Sequence, residues 1–326
     1  MLAATGLAAM LLFATHSRCY ASSPRTAPSW AFPISPSPTP PLSARAQAQA
    51  DVPLQLPASS QHFTARQIAD LYAVPDWYPQ SHPPMPPIVA VGHKPAVMAC
   101  GYCHLPDGQG RPENAPLAGL TAAYIAEQIT EFRTGQRLSV GPVGAPLAGM
   151  LSVARNLDAN DTAAAADYFS KLRYHKWIRV VEARQVPRTH VVGGMYQTIP
   201  GAGSEPLGDR IIEVPENTER TELRDARSGF IAYVPQGSLT RGAELVRHGA
   251  NGRTIRCAIC HGADLRGLAS VPPIAGRSPS YLMRQLYDIK FAARTGLWTA
   301  LMREPLAKLS NSDLVAIVAY VASLPP

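Results

Sequence analysis

Two five-residue stretches carry the residues best suited to chemistry. Cys100-Gly101-Tyr102-Cys103-His104 and Cys257-Ala258-Ile259-Cys260-His261 each contain two cysteines, two residues apart, followed directly by a histidine. This spacing is the attachment pattern for c-type haem. Both sulfurs can reach the two vinyl groups of one porphyrin edge as thioethers, and the adjoining imidazole can bind the iron. The sequence therefore predicts two covalent haem c groups, with Cys100, Cys103, Cys257 and Cys260 as anchors and His104 and His261 as iron ligands.

A structural zinc site built from the two CxxC pairs is one alternative, and a pair of disulfides is another. Zinc needs four soft ligands in tetrahedral geometry. That site leaves the histidine after each pair without a role, and the pairs lie far apart in the sequence. The duplicated histidine favours haem over both alternatives.

The order of features after each motif is the same in both halves. A Pro-Leu-Ala-Gly or Pro-Ile-Ala-Gly turn is followed by a helix that carries a tyrosine and, four residues on, a glutamine (Tyr124 and Gln128, Tyr281 and Gln285). A looser segment with a methionine and a last helix complete each half. The paired segments are 116–119 and 273–276, 122–133 and 280–292, and 160–172 and 310–324. This internal repeat predicts two similar fused modules.

Composition supports compact modules joined by extended segments. The chain has 326 residues, of which 46% are hydrophobic, only 16% are charged and 32 are prolines. The predicted divisions are a signal and low-complexity segment at 1–50, a proline-rich approach segment at 51–92, a first domain at 93–174, a linker at 175–237 and a second domain at 238–326.

The start of the chain predicts export. Residues 2–14 form an apolar run too short to span a bilayer, as in a signal peptide, although no Lys or Arg precedes it. An uncleaved anchor is the alternative. A Pro/Ser/Ala-rich tract follows at 22–57, with too few large apolar residues to order itself, and Ala48-Gln49-Ala50 has the form of a processing site. Cys19 is expected to be lost or inert. We expect a periplasmic protein that is soluble, or membrane-associated through its N-terminus.

The segments outside the repeats predict little regular structure. Thr64 is expected to cap a helix at 65–72, and the prolines at 75–87 favour an extended strip in which Trp77 and Tyr78 form a hydrophobic clasp on the first domain or a partner-docking motif. His82 and His93 are interpreted as surface residues. The linker predicts two or three short strands, carries eight basic and eight acidic residues, and shows no catalytic constellation.

The openings of the two domains differ. Ser238 is expected to cap a helix at 239–248, with Gly242 marking a close approach between helices. The first domain has no clean counterpart before Cys100. Its opening helix is predicted to be truncated or replaced by residues 63–72.

These residues resemble the class I c-type cytochrome fold, duplicated as in the periplasmic diheme cytochromes c of bacteria. The resemblance covers residues 93–174 and 238–326 and implies an all-α fold of two tandem modules. It implies that the proline region after each motif gives a backbone carbonyl to the proximal histidine, and that the last helix packs across the first. The implied iron ligands are His104 with Met150 and His261 with Met302. Core filling is the alternative role for the methionines, and Met98, Met195 and Met283 are rival ligands.

The resemblance also implies a function. Ligation by histidine and methionine raises the reduction potential and fills both axial positions, which favours electron transfer between respiratory redox partners over catalysis. One alternative is a diheme peroxidase-like enzyme. The other is an electron-accepting cytochrome subunit of a dehydrogenase or oxidase complex.

Charge is concentrated in the second half. Residues 238–326 contain eleven Lys/Arg and five Asp/Glu, whereas residues 93–174 contain seven of each. A basic second domain would steer an acidic donor or acceptor, such as a membrane-bound oxidase or dehydrogenase, or favour peripheral contact with an anionic membrane. Nucleic acid is not an expected partner, because the basic residues are not interleaved with aromatic ones.

Overall fold

The computed structural model describes residues 27–35 and 50–326. The predicted signal segment, Cys19 and the first two residues of the processing motif lie outside the described residues. Part of the low-complexity tract is ordered, contrary to expectation. A 3₁₀ turn at Ser29–Ala31 places Ala31 and Phe32 in the core of the second half, where the Phe32 ring packs edge-on against Tyr287 at 6.2 Å between centroids.

The approach segment contains only short elements. Strand β1 pairs antiparallel with β2, and two one-turn helices follow, in the order β1 Pro53–Leu54, β2 Phe63–Thr64, α1 Ala65–Ile68 and α2 Pro87–Ala90. Thr64 caps α1 as predicted, in a capping box with Gln67. The helix ends four residues earlier than expected. The Asp70 carboxylate accepts the backbone N–H of Tyr72 at 2.9 Å, a local turn that competes with helix continuation.

Trp77 and Tyr78 form a clasp, but its partner differs from the predicted one. Both side chains are buried in a small cluster with Leu56 and Ile68. The indole N–H of Trp77 donates to the carbonyl of Leu223 at 2.7 Å. The clasp therefore ties the approach segment to the middle of the chain.

The first helical group comprises α2 and the helices α3 Cys100–His104, α4 Ala122–Thr134, α5 Ala145–Asn156 and α6 Ala159–Ser170. Thr121 caps α4 and Asp158 caps α6, while Gly135 ends α4 in the left-handed conformation. Ile88 and Val89 of α2 are buried in the core of this group, against α6. Helix α2, a single turn, thus stands in place of an opening helix, as the predicted truncation implies. Residues 63–72 do not replace it, since Ile68 packs in a separate cluster.

The middle segment, residues 175–237, has more strand than predicted. Its elements are β3 Ile178–Ala183, β4 Gln185–Pro187, β5 Thr189–Val192, β6 Met195–Thr198, β7 Ser204–Pro206, β8 Ile212–Pro215, α7 Thr218–Glu222 and β9 Phe230–Pro235. Strand β9 lies between β3, to which it is parallel, and β8, to which it is antiparallel. The fold is therefore mostly helical rather than all-α.

The second helical group comprises α8 Ser238–His248, α9 Ala258–His261, α10 Pro279–Lys290, α11 Thr299–Ala307 and α12 Asn311–Ser323. Gly237, not Ser238, occupies the position before α8. Helix α8 crosses α12 at Gly242, where an added Cβ would come within 2.0 Å of the Ala316 carbonyl oxygen. The predicted close approach is confirmed, since only glycine fits there.

Among the residues that the structure describes, no helix combines the length and the apolar character needed to cross a bilayer.

Candidate functional site

Helices α3 and α9, here called the first and second attachment helices, hold the two histidines in the same way. Nδ1 of His104 lies 2.8 Å from the Ala115 carbonyl oxygen, and Nδ1 of His261 lies 2.9 Å from that of Pro272. A carbonyl oxygen only accepts, so Nδ1 carries the proton and Nε2 keeps its lone pair. The expectation that the proline region supplies this carbonyl is confirmed in both halves. Each imidazole is thereby oriented as a metal ligand.

The loop after each motif explains how that carbonyl reaches the histidine. The N–H of Gly110 donates to the His104 carbonyl at 3.0 Å, and Gly267 does the same to His261 at 2.9 Å. Both glycines have positive φ, and a Cβ on Gly110 would lie 2.7 Å from the Ala115 oxygen. A side chain at this position would displace the oxygen that fixes His104.

Burial keeps the histidines neutral. It lowers the pKa of both His104 and His261, and the single hydrogen bond to a carbonyl opposes this effect only in part. A neutral imidazole is the form that binds a metal.

None of the four motif cysteines is paired in a disulfide. Burial raises the pKa of Cys100 to about 12 and that of Cys257 to about 11. Within residues 27–35 and 50–326, no three His, Cys, Asp or Glu side chains come together as a metal site. The two CxxC pairs therefore do not form the alternative zinc site. Free paired thiols beside a neutral, oriented imidazole are a donor set that fits a covalently attached haem.

The two candidate distal methionines lie on helices rather than in looser segments. Met150 is on α5 and packs against the core that also contacts Cys100, while Met302 is on α11 and packs against the core that contacts Cys257. Each methionine thus shares an apolar core with the first cysteine of the motif in its own half.

The rival methionines fall into two classes. Met283 and Met195 are fully buried in packing roles, Met283 inside the second core and Met195 beside Trp177 and Phe230. Met98 is different. Its Cε lies 2.8 Å from where a Cβ on Gly149 would stand, so it is next to Met150 in space.

The two upstream histidines behave differently from each other. His93 is exposed as expected, and its Nε2 lies 2.8 Å from an Asp161 carboxylate oxygen. The side chain of His82 is only 3% exposed, contrary to the prediction of a surface residue. Its ring lies 3.2 Å from Asp76 and 3.0 Å from the Tyr168 hydroxyl. Nε2 of His82 faces the Asp76 carboxylate and Nδ1 faces the Tyr168 hydroxyl, so hydrogen bonds occupy both ring nitrogens.

The contact between the two helical groups is built by residues that occupy equivalent positions. Arg137 and Arg294 are both buried and sit between the Tyr–Gln pairs found in the sequence. Arg137 donates hydrogen bonds to Gln128 at 2.7 Å, Tyr281 at 3.1 Å and Gln285 at 3.1 Å. Arg294 donates hydrogen bonds to Gln128 at 2.6 Å, Tyr124 at 2.9 Å and Gln285 at 3.1 Å. The network is closed across the boundary, so it joins the halves into one unit.

Sequence reasoning identified the tyrosines and glutamines but missed three arginines. Arg137 and Arg294 stand at matching positions after α4 and α10, a signal that extending the repeat would have revealed. Arg277 donates to the carbonyls of Pro116 and Ala118 in the first half, at 3.0 and 2.9 Å. It has no arginine counterpart, so no repeat signal points to it.

Comparison with known proteins gives relatives over most of the chain. No protein-family model matches the sequence. The thiosulfate dehydrogenase electron acceptor of Stutzerimonas stutzeri (strain A1501) is 28% identical over 237 residues, which cover 72% of this chain and 82% of that protein. Cytochrome c4 of Azotobacter vinelandii is 26% identical over 234 residues, 69% of this chain and 84% of that protein.

A third relative is a shorter protein that has a higher sequence identity over the part that it matches. Cytochrome c-554(548) of Halomonas halodenitrificans is 37% identical over 68 residues, 21% of this chain and 82% of that protein. Together with the two attachment motifs, these similarities agree with the resemblance found in the sequence. The chain belongs to the c-type cytochromes, and it is a diheme member that carries two covalent haem c groups and transfers electrons through them.

Proposed function

We propose that the protein carries electrons between redox proteins, and that the protein fills both axial positions of each iron. His104 and Met150 hold the first iron, and His261 and Met302 the second. The cysteines of each motif form the thioether links. The observation that carries this proposal is the repeated hydrogen bond from each Nδ1 to a carbonyl, which leaves Nε2 of both histidines as the donor atom.

The ligand set supports a carrier over an enzyme. A thioether is a soft, neutral ligand that favours ferrous iron and raises the reduction potential. With a histidine and a methionine from the chain in both axial positions, no place is left for peroxide. The peroxidase-like alternative requires one of these methionines to be absent from its iron.

We further propose that residues 93–174 and 238–326 are the two cytochrome c modules. Each range contains one attachment helix, one carbonyl-bound histidine and most residues of one apolar core. The approach segment at 51–92 contributes α2 to the first core, so the first module is completed from outside its own range.

We propose a periplasmic location for this carrier, because the apolar run at residues 2–14 has the form of an export signal. The net charge of +6 on residues 238–326 would speed its encounter with an acidic partner in a salt-dependent manner.

The test is the haem content and ligation of protein matured in a host that attaches haem c. Alkaline pyridine spectra should give two covalent haems per chain. The reduced protein should not bind carbon monoxide, whereas the Met302→Ala variant should bind one equivalent. Binding of carbon monoxide by the unmodified protein would remove one of the two methionines from the proposed ligand set.

A second candidate function is that of a fixed electron-accepting subunit of a dehydrogenase. It is favoured by the similarity to a thiosulfate dehydrogenase electron acceptor. Gel filtration of a native extract separates the two functions. A free carrier elutes at the size of one chain, while a subunit co-elutes with dehydrogenase activity.

A further inference from the structure

The two attachment helices differ sharply in exposure. Tyr102 and Ile259 occupy the same position, directly before the second cysteine of each motif. Tyr102 is 7% exposed, whereas Ile259 is 60% exposed. The neighbouring cysteines follow the same trend, since Cys103 is partly buried and Cys260 is exposed. One motif is covered by other parts of the chain and the other faces solvent.

The covering residues belong to the middle segment. Arg224 donates to the Tyr102 carbonyl at 2.7 Å, and its guanidinium carbon lies 3.4 Å from the centroid of the Tyr102 ring. This geometry combines a hydrogen bond with a cation–π contact. We call residues 218–230, which carry this contact, the cover.

The cover is held firmly in place. Buried Asp225 accepts hydrogen bonds from the Arg220 side chain at 2.6 Å and from the Arg227 backbone N–H at 2.8 Å. The Arg227 guanidinium in turn lies 3.6 Å from the centroid of the Tyr78 ring. Arg224 itself has a φ of 57°, a left-handed conformation that costs free energy in a non-glycine residue. These surrounding contacts stabilise it.

The chain on either side of the second attachment helix carries exposed apolar side chains, as does the chain around Met302. Ile255, Ile259 and Leu268 belong to the first set, and Leu297, Trp298 and Leu301 to the second. Exposed arginines stand among them, with Arg256 directly before the motif, Arg266 in the loop after it and Arg303 beside Met302. Asp264 and Glu304 are the exposed acids in the same stretches. An apolar surface with a basic rim is typical of a protein-docking site.

We propose that electrons pass to and from external proteins at the second attachment helix, and that the partner is an acidic protein whose docking surface has an apolar centre. This inference rests on the proposed function. Haem bound through the cysteines of each motif would supply the electrons at that attachment helix, and electron transfer falls steeply with distance. The cover keeps a partner away from the first attachment helix, so the second attachment helix is the point of exchange.

Charge identifies the chemistry of the partner. The arginines of the rim outnumber the acids, which favours carboxylates on the partner. Asp264 and Glu304 would face the headgroups of an anionic membrane, whereas on a protein surface they can pair with individual lysines or arginines. The mixed rim therefore favours a protein over a lipid surface.

Exposure is tested by NMR on the reduced, ¹⁵N-labelled protein that holds both haems. A neutral gadolinium diamide chelate should broaden the backbone amides of residues 257–261 and leave those of residues 100–104 sharp. The Arg224→Ala variant should bring broadening to residues 100–104 as well. Equal broadening at both helices of the unmodified protein would overturn the role of the cover.

Docking is tested with a flavodoxin, a small acidic redox protein, as the probe. Its titration should shift amides around Ile255, Ile259 and Leu268. The Ile259→Ser variant should weaken binding about tenfold, since it loses a buried apolar side chain, and Arg256→Gln about threefold, as expected for a rim charge. Matched controls at exposed sites of the middle segment, Ile199→Ser and Arg188→Gln, should leave the affinity unchanged.

Two results would overturn the docking proposal. One is that shifts map to the first helical group. The other is that the protein sediments with phosphatidylglycerol vesicles in a manner that Ile259→Ser abolishes, which would make the surface a membrane contact. The haem content of each sample is measured beforehand. A sample with fewer than two haems tests the proposed function, whereas a sample with two haems tests only the docking surface.

Discussion

Arg137 and Arg294 lie at equivalent positions in the two helical groups, and each donates hydrogen bonds to the tyrosine and glutamine of the opposite group. Both guanidiniums are buried, and a Glu131 carboxylate oxygen lies 4.0 Å from Nε of Arg294. The boundary between the halves is therefore polar, specific and rich in positive charge. Its stability depends on all members of the network being present.

Replacing Arg294 with methionine should uncouple the two halves. The substitution leaves the hydroxyl of Tyr124 without this donor and removes a buried charge from the network, which should cost about 2–4 kcal/mol in the free energy of unfolding. Denaturant unfolding should split from one transition into two. The exposed Arg155→Gln variant is the control and should keep a single, unshifted transition. An unchanged midpoint for Arg294→Met would contradict a structural role for the network.

Gly242 should not tolerate alanine. The added Cβ would come within 2.0 Å of the Ala316 carbonyl oxygen and force α8 and α12 apart, at a cost of about 1–3 kcal/mol in unfolding free energy. Thermal unfolding of Gly242→Ala measures this, with Glu244→Ala, an exposed position on the same helix, as the control. Equal thermal unfolding midpoints for both variants and the unmodified protein would contradict this prediction.

NMR can decide whether Met150 or Met98 is the distal ligand of the first iron. In the reduced protein, an iron-bound methionine has a methyl resonance shifted strongly upfield by the porphyrin ring current. The unmodified protein should show two such methyls, Met150→Leu and Met302→Leu should each lose one, and Met98→Leu should keep both. Loss of one upfield methyl in Met98→Leu, with two kept in Met150→Leu, would transfer the ligand role to Met98.

Glu213 should make stability fall as pH rises. Burial raises its pKa from 4.5 to about 7, partly offset by hydrogen bonds from Ser278 and Ser280. At a pH between these two pKa values, Glu213 has released its proton in the unfolded chain but keeps it in the folded chain. The unfolding free energy should therefore decrease by about 1.4 kcal/mol per pH unit from near pH 5 to near pH 7, and then level off for this group.

The Glu213→Gln variant isolates this contribution. Asp107, with a pKa raised by burial to about 7, also titrates in this range, so the difference between the two proteins is the relevant quantity. Denaturant titrations at pH 5, 6, 7 and 8 measure it. A difference that does not change with pH would show that Glu213 is not buried in its protonated form.

Local rules in the sequence predicted the parts of the fold that local rules govern. The cap at Thr64 and the helices that carry the Tyr–Gln pairs follow from nearby residues alone, and the missing side chain of Gly242 marks its helix contact. The candidate site was predictable for the same reason, because a cysteine pair and its histidine lie within five residues.

The errors lie where distant contacts decide. The prediction of a looser segment around Met150 is wrong, because Met150 lies on α5, whose first turn accepts Pro146, where a missing N–H costs nothing. The strands of the middle segment are short, and most of their pairings are made with strands far along the chain. Arg224 has no local signal, since its role exists only once the middle segment has folded onto Tyr102.

The parallel pairing of β3 and β9 gives the middle segment an architectural property of its own. The chain leaves the first helical group at β3 and enters the second directly after β9, and these two strands run side by side. The residues between β3 and β9 therefore form an insertion whose two ends are held side by side. Insertions or deletions within it can reshape what lies over the first motif while the spacing of the two redox centres stays the same.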